Sequence, residues 1–363
     1  MELEEIKRRL ELWADGKKAG PVRMELHPTD ACNLSCIFCW RRKSEGLRKK
    51  ELPESKLLQI VREAAKLGVK EWVVSGGGEP LVRKEVTLKI LGEIKKHNMW
   101  GLLTTNGTLL TKRDSEFLIR IGWDQVQFSI DGPNKKLNDF LRPPNSFERI
   151  IKAIKTLRKV RDSKSSKKPY IGFNTILNNR NFDKIDEMIE LAYEVGAELV
   201  FFEPIYPGYS EVELGISKKE TKKLVKSVKR GGRVAKKLGI DTNVKDFLEV
   251  HLADKSNLRE KIIKEVEGLN GFKGAPCFRP WYLMGIKASG FAGCCSTFER
   301  GEFIQGKCLE EVWFGKIFNK LREEMCEKKI PDYCSKCSIV VLKENRILRE
   351  MLMGNGGKNR KID

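Results

Sequence analysis

The chain has 363 residues and a formal charge of +20 at neutral pH, with 33% charged and 40% hydrophobic residues. That balance predicts a soluble globular protein of one large or two ordinary domains, and no apolar run approaches the roughly 20 residues needed to span a bilayer. The amino terminus, MELEEIKRRLELWADGKK, reads as a charged amphipathic helix without an apolar signal core. The expected compartment is therefore the cytoplasm, where ten cysteines point to metal or redox chemistry rather than disulfides.

In chain order, short apolar runs alternate with amphipathic ones. VRMELHP (22–28) reads as a strand and 53–68 as a helix, with Pro53 near its start and Gly68 as its stop. Strands follow at 70–76, 100–107, 124–132, 170–177 and 197–205, and helices at 83–98, 111–122, 146–161, 181–196 and 216–238. Six strand–helix repeats predict an α/β fold, a partial (β/α)6 TIM-like barrel of parallel strands joined by right-handed crossovers. Ligands of such folds sit at the carboxyl ends of the strands. Four unusual segments follow strands there: CNLSCIFCW, GGGEP, TNG and DGP.

The expected division is a helix at 1–21, the barrel at 22–245, a helical linker at 246–270, a small cysteine-rich domain at 271–340, and a closing helix with a frayed basic tail at 341–363. Charge is concentrated in places. Ten lysines and arginines from Lys218 to Lys237 share one predicted helix with Glu220 as its single acid, and basic runs also fill 155–169 and 41–50. They read either as solvated faces or as a surface for an anionic peptide, metabolite or RNA.

Cys32, Cys36 and Cys39 lie at 3-then-2 spacing and can curl round one metal centre. His27 could complete a four-ligand zinc site. Alternatively, three thiolates on an iron–sulfur cube leave one iron open to bind something else.

The pattern C-x3-C-x2-C, with Phe38 just before the third cysteine, resembles the signature of radical S-adenosylmethionine (radical SAM) enzymes. Gly77, Gly78, Glu79 and Pro80 resemble that family's GGEP segment, TTNG (104–107) and FSIDGP (128–133) its third and fourth strand ends, and NDFLR (138–142) the stretch whose arginine meets the cofactor's carboxylate. The resemblance covers roughly residues 22 to 210. It implies a [4Fe-4S] cluster with an open iron, on which S-adenosylmethionine is reductively cleaved to a 5′-deoxyadenosyl radical that takes a hydrogen atom from a C–H bond. A reducing partner such as ferredoxin or flavodoxin is implied with it.

On this resemblance Gly77, Gly78 and Glu79 offer backbone carbonyls to the cofactor's amine. Arg142 offers a planar fork to its carboxylate, Ser129 and Asp131 oxygens to the ribose, and Phe38 a wall to the adenine. Asn106 and Asn174 end strands where an amide could bridge cofactor groups. Ordinary turn chemistry would equally account for Ser129 and Asp131, and a satisfied strand-end amide for Asn174.

The region 271–340 holds seven of the ten cysteines. Cys277, Cys295, Cys334 and Cys337 offer four-ligand geometry, which from spacing alone suits zinc or an iron–sulfur cluster. The run C-x12-G-x4-C through Gly290, followed by CSKC, resembles the auxiliary-cluster extension called SPASM, or its shortened Twitch form. No cysteine follows Cys337, which implies one auxiliary cluster, with Cys294 able to replace its neighbour. Cys308 and Cys326 read as buried thiols, with replacement ligands or hydrogen-atom donors as the other roles open to them.

The expected function is hydrogen abstraction from a peptide, protein side chain or small metabolite. The alternatives are an RNA-modifying enzyme of the same chemistry and a non-catalytic zinc protein that binds nucleic acid. Glu203, Tyr206 and Tyr209 are candidates to face the substrate.

Overall fold

The computed structural model describes residues 2–39, 41, 50–205, 213–252, 258–295, 300–337 and 339–354. In chain order it contains α1 (Glu2–Ala14), β1 (Arg23–Leu26), α2 (Glu54–Lys66), β2 (Glu71–Val74), α3 (Lys84–Lys96), β3 (Trp100–Thr105), α4 (Lys112–Arg120) and β4 (Gln125–Ser129). Next come α5 (Lys135–Leu141), α6 (Phe147–Ser163), β5 (Tyr170–Leu177), α7 (Ile185–Val195), β6 (Leu199–Pro204), α8 (Thr221–Leu238), β7 (Asp241–Thr242), α9 (Val244–Leu252) and α10 (Leu258–Lys264). The chain ends with α11 (Arg279–Tyr282), β8 (Leu283–Ile286), β9 (Phe291–Gly293), β10 (Gly301–Phe303), α12 (Leu309–Trp313), α13 (Lys316–Cys326) and α14 (Ile339–Leu352). Among the described residues no helix is long and apolar enough to cross a membrane.

All six strand–helix repeats are present, on an α/β sheet that stays open rather than closing into a barrel. The reason is visible in single elements. In α2 the buried residues are Leu57, Ile60, Val61 and Ala64, one face of a 3.6-residue period. In β5 Ile171, Phe173, Thr175 and Leu177 alternate inward with less buried neighbours at Asn174 and Ile176.

The chain packs as two compact units. One comprises 27–54 and 73–253, the other 1–26, 55–72 and 254–363. In the first, β3, β4, β5, β6 and β7 run parallel in that order, with Ser129 opposite Asn174 in the β4–β5 register. In the second, β1 pairs parallel with β8, and β9 and β10 continue antiparallel from it. The amino-terminal helix and first strand thus share a core with the carboxyl-terminal cysteine region, where Ile6 and Leu10 pack with Trp281, Tyr282 and Leu348.

Some local expectations change. The NDFLR stretch ends a short helix, α5, that periodicity did not reveal; the Asn134 side chain accepts the Leu137 amide at 3.1 Å and starts it. The helix expected from 181 begins at 185. Asn181 instead fastens the preceding turn, accepting the Asn178 amide at 2.8 Å and donating to the Ile176 and Asp131 carbonyls. On the basic helix α8, Leu224, Val228 and Ala235 are buried while Lys222, Lys223, Lys226, Lys229, Lys236 and Lys237 are exposed, and Arg230 pairs with Asp186. This is the solvated face of an amphipathic helix.

Candidate functional site

The cysteine loop follows β1. Glu51 ties down its first turn, accepting the Thr29 hydroxyl at 2.7 Å and the Asp30 amide at 2.8 Å. The loop then rests on the end of α5: Ser35 N donates to the Pro143 carbonyl and Ile37 N to the Leu141 carbonyl, each at 3.1 Å. A turn closes between Cys36 and Cys39, whose amide donates back to the Cys36 carbonyl at 3.1 Å. Leu34, Cys36, Phe38, Leu141 and Leu214 form one apolar cluster, with Cys32, Cys39 and Ile176 packed against it.

The glycine loop after β2 lies directly on this one. Gly78 N donates to the Thr29 carbonyl at 2.9 Å and Glu79 N to the Ala31 carbonyl at 2.8 Å. A Cβ at Gly77 would come within 2.0 Å of Asp30 Oδ1, and one at Gly78 within 2.0 Å of the Ala31 carbonyl oxygen. At Gly78 the two backbones are too close to admit a side chain, and at Gly77 the Asp30 carboxylate fills the space a side chain would need.

Glu79 is 3% exposed and its carboxylate faces inward. It accepts the Leu81 amide at 3.0 Å, the Thr105 hydroxyl at 2.6 Å and the Asn106 amide at 2.6 Å. Burial pushes its pKa up, against those three donors. The side chain therefore braces the end of β3 and leaves only its backbone to a ligand. Asn106, held there, donates to Cys32 Sγ at 3.9 Å and to Asn33 Oδ1 at 2.9 Å. Asn33 in turn donates to the Thr108 hydroxyl at 2.8 Å.

Two of the expected cofactor residues already have partners in the protein itself. Asp131 and Arg142, expected on the ribose and the carboxylate, are bound to each other: Arg142 Nε donates to Asp131 Oδ2, and Asp131 Oδ1 accepts the Ile176 amide at 2.7 Å. The reason is burial. Asp131 is 0% exposed, and a carboxylate in such a place needs a cation and hydrogen bonds. Arg142 also donates from Nη1 to Cys36 Sγ at 3.9 Å, and its guanidinium carbon stands 5.2 Å from the Phe38 ring centroid. One face of the ring expected to wall the adenine thus already carries a cation. Burial opposes the guanidinium charge, but Asp131 and the thiols outweigh it and hold Arg142 above its ordinary value.

Ser129 and Asn174 sit opposite each other across β4 and β5, so their side chains share a face. Asn174 Oδ1 is buried and accepts no hydrogen bond. Such an atom is costly unless a ligand completes it. Of the substrate-facing candidates, Glu203 ends β6, while Tyr206 and Tyr209 lie outside the described residues, as does most of the basic run at 41–50.

The second cysteine set lies in the other unit. Cys277 precedes α11, Cys294 and Cys295 follow β9, and Cys334 and Cys337 flank a single turn in which the Cys337 amide donates to the Cys334 carbonyl at 3.1 Å. Gly290, at φ +83°, makes the tight turn between β8 and β9 that aims the cysteine pair. Asn345 of α14 donates to Cys277 Sγ at 3.8 Å and accepts the Phe278 amide at 2.6 Å. Cys277, Cys334 and Cys337 all pack on the Phe278, Trp281 and Tyr282 core.

All ten cysteines are free thiols. Burial pushes Cys36 up to about 11, against the pull of Arg142, and raises Cys32. Burial, helped by the neighbouring Cys295 and opposed by Arg279, pushes Cys277 up to about 11. Cys334 is raised by burial and then by Cys277, Cys337, Cys295 and Cys294, which places these five thiols within electrostatic reach of one another. Cys308 and Cys326, expected to be buried, are half-buried; Cys326 packs against the same core cluster as Cys277, Cys334 and Cys337. Cys308 caps α12, its amide donating to Glu311, and Cys326 ends α13 beside Glu323 and Glu327.

Among the described residues no three His, Cys, Asp or Glu side chains converge tightly enough to hold one metal ion, so His27 completes no preformed zinc site. The donor sets suit a larger group. A cube of several irons spaces its thiolates more widely than a single ion does, and each site supplies apolar walls and amide or guanidinium donors to sulfur. The orphaned Asn174 oxygen and the side-chain-free backbone at Gly77 and Gly78 fit a polar ligand beside the first site. The partners that sequence reasoning missed, Asn33, Glu51, Thr108 and Asn345, are common polar residues without spacing signals of their own.

Comparison with known proteins agrees with this layout. Residues 26–192 match the radical SAM superfamily, and the chain carries a radical SAM domain over that span. That superfamily uses a [4Fe-4S] cluster and S-adenosylmethionine. The AdoMet-dependent heme synthase of Methanosarcina barkeri is 34% identical over 170 residues, 47% of this chain and 46% of that protein. The mycofactocin maturase MftC of Mycolicibacterium smegmatis is 30% identical over 200 residues, 54% and 48% of the two chains. A probable GTP 3′,8-cyclase of Pyrococcus horikoshii is 33% identical over 190 residues, 52% and 57%. The chain thus spans about half the length of the curated relatives it matches.

Among solved structures, Streptococcus suis SuiB bound to precursor peptide SuiA superposes with a TM-score of 0.64 at 18% identity, covering 91% of this chain and 74% of that one. Native anSMEcpe with bound AdoMet does so with a TM-score of 0.62 at 15% identity, covering 93% and 98%. The shared fold thus extends past the matched domain into the region of the second cysteine set.

Proposed function

We propose that the chain is a radical SAM enzyme that abstracts a hydrogen atom from a peptide or protein side chain, or from a small metabolite, with a second iron–sulfur cluster of SPASM or Twitch type. The observation that carries this reading is the clamp of the three-cysteine loop on the glycine loop, with Asn106 and Arg142 aimed at two of the three sulfurs. Cys32, Cys36 and Cys39 would hold the first cluster, and Cys277, Cys295, Cys334 and Cys337 the second. When bound, cluster and cofactor supply one-electron reductive cleavage of the cofactor's carbon–sulfur bond and hydrogen abstraction from an unreactive C–H bond.

The protein's own contribution is placement. The backbone of Gly77, Gly78 and Glu79 lies against the cysteine loop and would offer carbonyls to the methionine amine. Ser129, at the end of β4, and Asn174, opposite it within β5, present polar atoms on one face of the sheet. The apolar cluster of Leu34, Phe38 and Leu141 excludes water and stray hydrogen donors. SuiB, bound to a precursor peptide, and the mycofactocin maturase support a peptide substrate, whereas the heme synthase and the cyclase support small molecules. A reducing protein partner and residence in the cytoplasm belong to this reading.

Anaerobic reconstitution with iron counting and product analysis tests it. Brown protein with about eight irons per chain, releasing 5′-deoxyadenosine under reducing conditions, is the expected result. Colourless, zinc-loaded protein that never forms 5′-deoxyadenosine would overturn it.

A further inference from the structure

The Asp131–Arg142 pair reaches the sulfur of a proposed cluster ligand as well as its own partners. Arg142 is 7% exposed and reaches three groups at once: Asp131 through Nε, Cys36 Sγ through Nη1 at 3.9 Å, and the face of Phe38 at 5.2 Å. Asp131 is fixed independently on every side. Its Oδ1 accepts the Ile176 amide at 2.7 Å, its own amide donates to Asn138 Oδ1 at 3.0 Å, and its carbonyl accepts Asn181 Nδ2 at 2.9 Å. Asn138 is itself held by the Ser146 hydroxyl at 2.8 Å, and Ser146 by Asp139. A chain of buried polar groups on the turn after β4, on α5 and on β5 therefore sets the direction of one guanidinium N–H.

We infer that Asp131 is a positioning residue which locks Arg142 onto the sulfur of Cys36, and that the guanidinium tunes the first cluster toward reduction. The inference rests on the cluster assignment proposed above. A cation and an N–H donor at a thiolate sulfur stabilise the more negative, reduced state of an iron–sulfur cluster. Asp131 keeps the cation aimed, because a carboxylate fixes a guanidinium fork in one plane. Cys32 and Cys36 thus differ: Cys32 takes its donor from a neutral amide, Asn106, and Cys36 from a cation.

The test uses the full chain, reconstituted without oxygen and titrated electrochemically by electron paramagnetic resonance before any S-adenosylmethionine is added. The signal that later responds to S-adenosylmethionine identifies the first cluster. Arg142→Ala should disfavour reduction of that cluster at least tenfold, 59 mV for a one-electron couple. Arg142→Lys, which keeps the charge and loses the fork, should fall between. Asp131→Asn is the sharpest arm. Removing a buried negative charge would by electrostatics alone make reduction easier; loss of positioning makes it harder, and harder is the expected result. The double substitution should be no harder to reduce than Arg142→Ala alone, because the loss of positioning acts only through Arg142.

An unchanged potential in Arg142→Ala, with only the affinity for S-adenosylmethionine reduced, would overturn the inference. So would easier reduction in Asp131→Asn. If Arg142→Ala fails to hold the cluster, Arg142→Lys decides: retained iron with a shifted potential supports the pair, and retained iron with the wild-type potential overturns it. Failure of the underlying assignment looks different, since Cys36→Ala would then remove no iron from the wild-type content.

Discussion

The two cysteine sites use the same ligand type in opposite surroundings. The first hangs in a loop between strand ends, beside a backbone stripped of side chains at Gly77 and Gly78 and an amide oxygen without a partner at Asn174. The second is sunk among Phe278, Trp281 and Tyr282, with thiols drawn from elements as distant in sequence as β9 and the turn before α14. Unfilled polar capacity suits a place where a small ligand comes and goes. Apolar enclosure suits a place that holds a group permanently and ties remote segments together. The comparison therefore predicts that damage to the first site removes chemistry, and damage to the second removes stability.

The largest effect should come from Cys36→Ala. Formation of 5′-deoxyadenosine is expected to vanish and about four irons per chain to be lost, while the thermal unfolding midpoint stays close to that of the parent. Gly78→Ala follows. Its methyl would sit 2.0 Å from the Ala31 carbonyl oxygen, so the two loops must separate. A misplacement of that size costs on the order of 100-fold in rate, measured as 5′-deoxyadenosine formed per unit of first cluster. Cys334→Ala should invert the pattern, with a clearly lowered unfolding midpoint and surviving cofactor cleavage. If Cys334→Ala abolishes cleavage at an unchanged midpoint, the contrast between the two sites is broken.

A smaller effect concerns pH. The apo thiols Cys36 and Cys277 are both pushed up to about 11 by burial, so each must give up a proton to become an iron ligand. Loading should release protons and tighten as pH rises from 7 toward 10. The same shifts act on the metal-free fold with the opposite sign. The folded thiols hold their protons more tightly than the unfolded ones, so this contribution is intact below about pH 8.5 and fades as pH climbs toward 11. Apo-protein whose stability rises over that window would contradict the assignment of buried, protonated thiols.

Much of the first unit could be read in advance because its signals are local. Strand β5 was bounded at its two true ends by an apolar run between turn residues, and the four loop motifs fell at strand ends as expected. What escaped was long-range. Nothing near Asp131 reveals that its charge is answered by Arg142, eleven residues away across a turn and a short helix. Likewise β8 looked like a fragment of a separate cysteine-rich domain, whereas its four residues are buried and pair in parallel with β1. A four-residue strand buried on both faces has no period to read. Asn345 shows the same limit: an asparagine in an amphipathic helix carries no mark of the cysteine it donates to.

The finest distinction concerns Cys308 and Cys326, which share the second unit with the five gathered thiols but lie outside them. Cys308 spends its backbone amide on Glu311 at the start of α12, and Cys326, packed on the edge of the aromatic core, is raised by burial and then by Glu323 and Glu327. Cys326 is raised by burial and by carboxylates and not by another cysteine, in contrast to Cys277, Cys294 and Cys334. Cys308→Ala and Cys326→Ala should therefore leave the iron content, the reduced cluster spectra and the rate of cofactor cleavage unchanged. The unfolding midpoint should move by no more than a small side-chain deletion implies, about 1 kcal/mol or less for a half-buried thiol. A loss of about four irons from either variant would make that residue a ligand and would extend the second site beyond its aromatic enclosure.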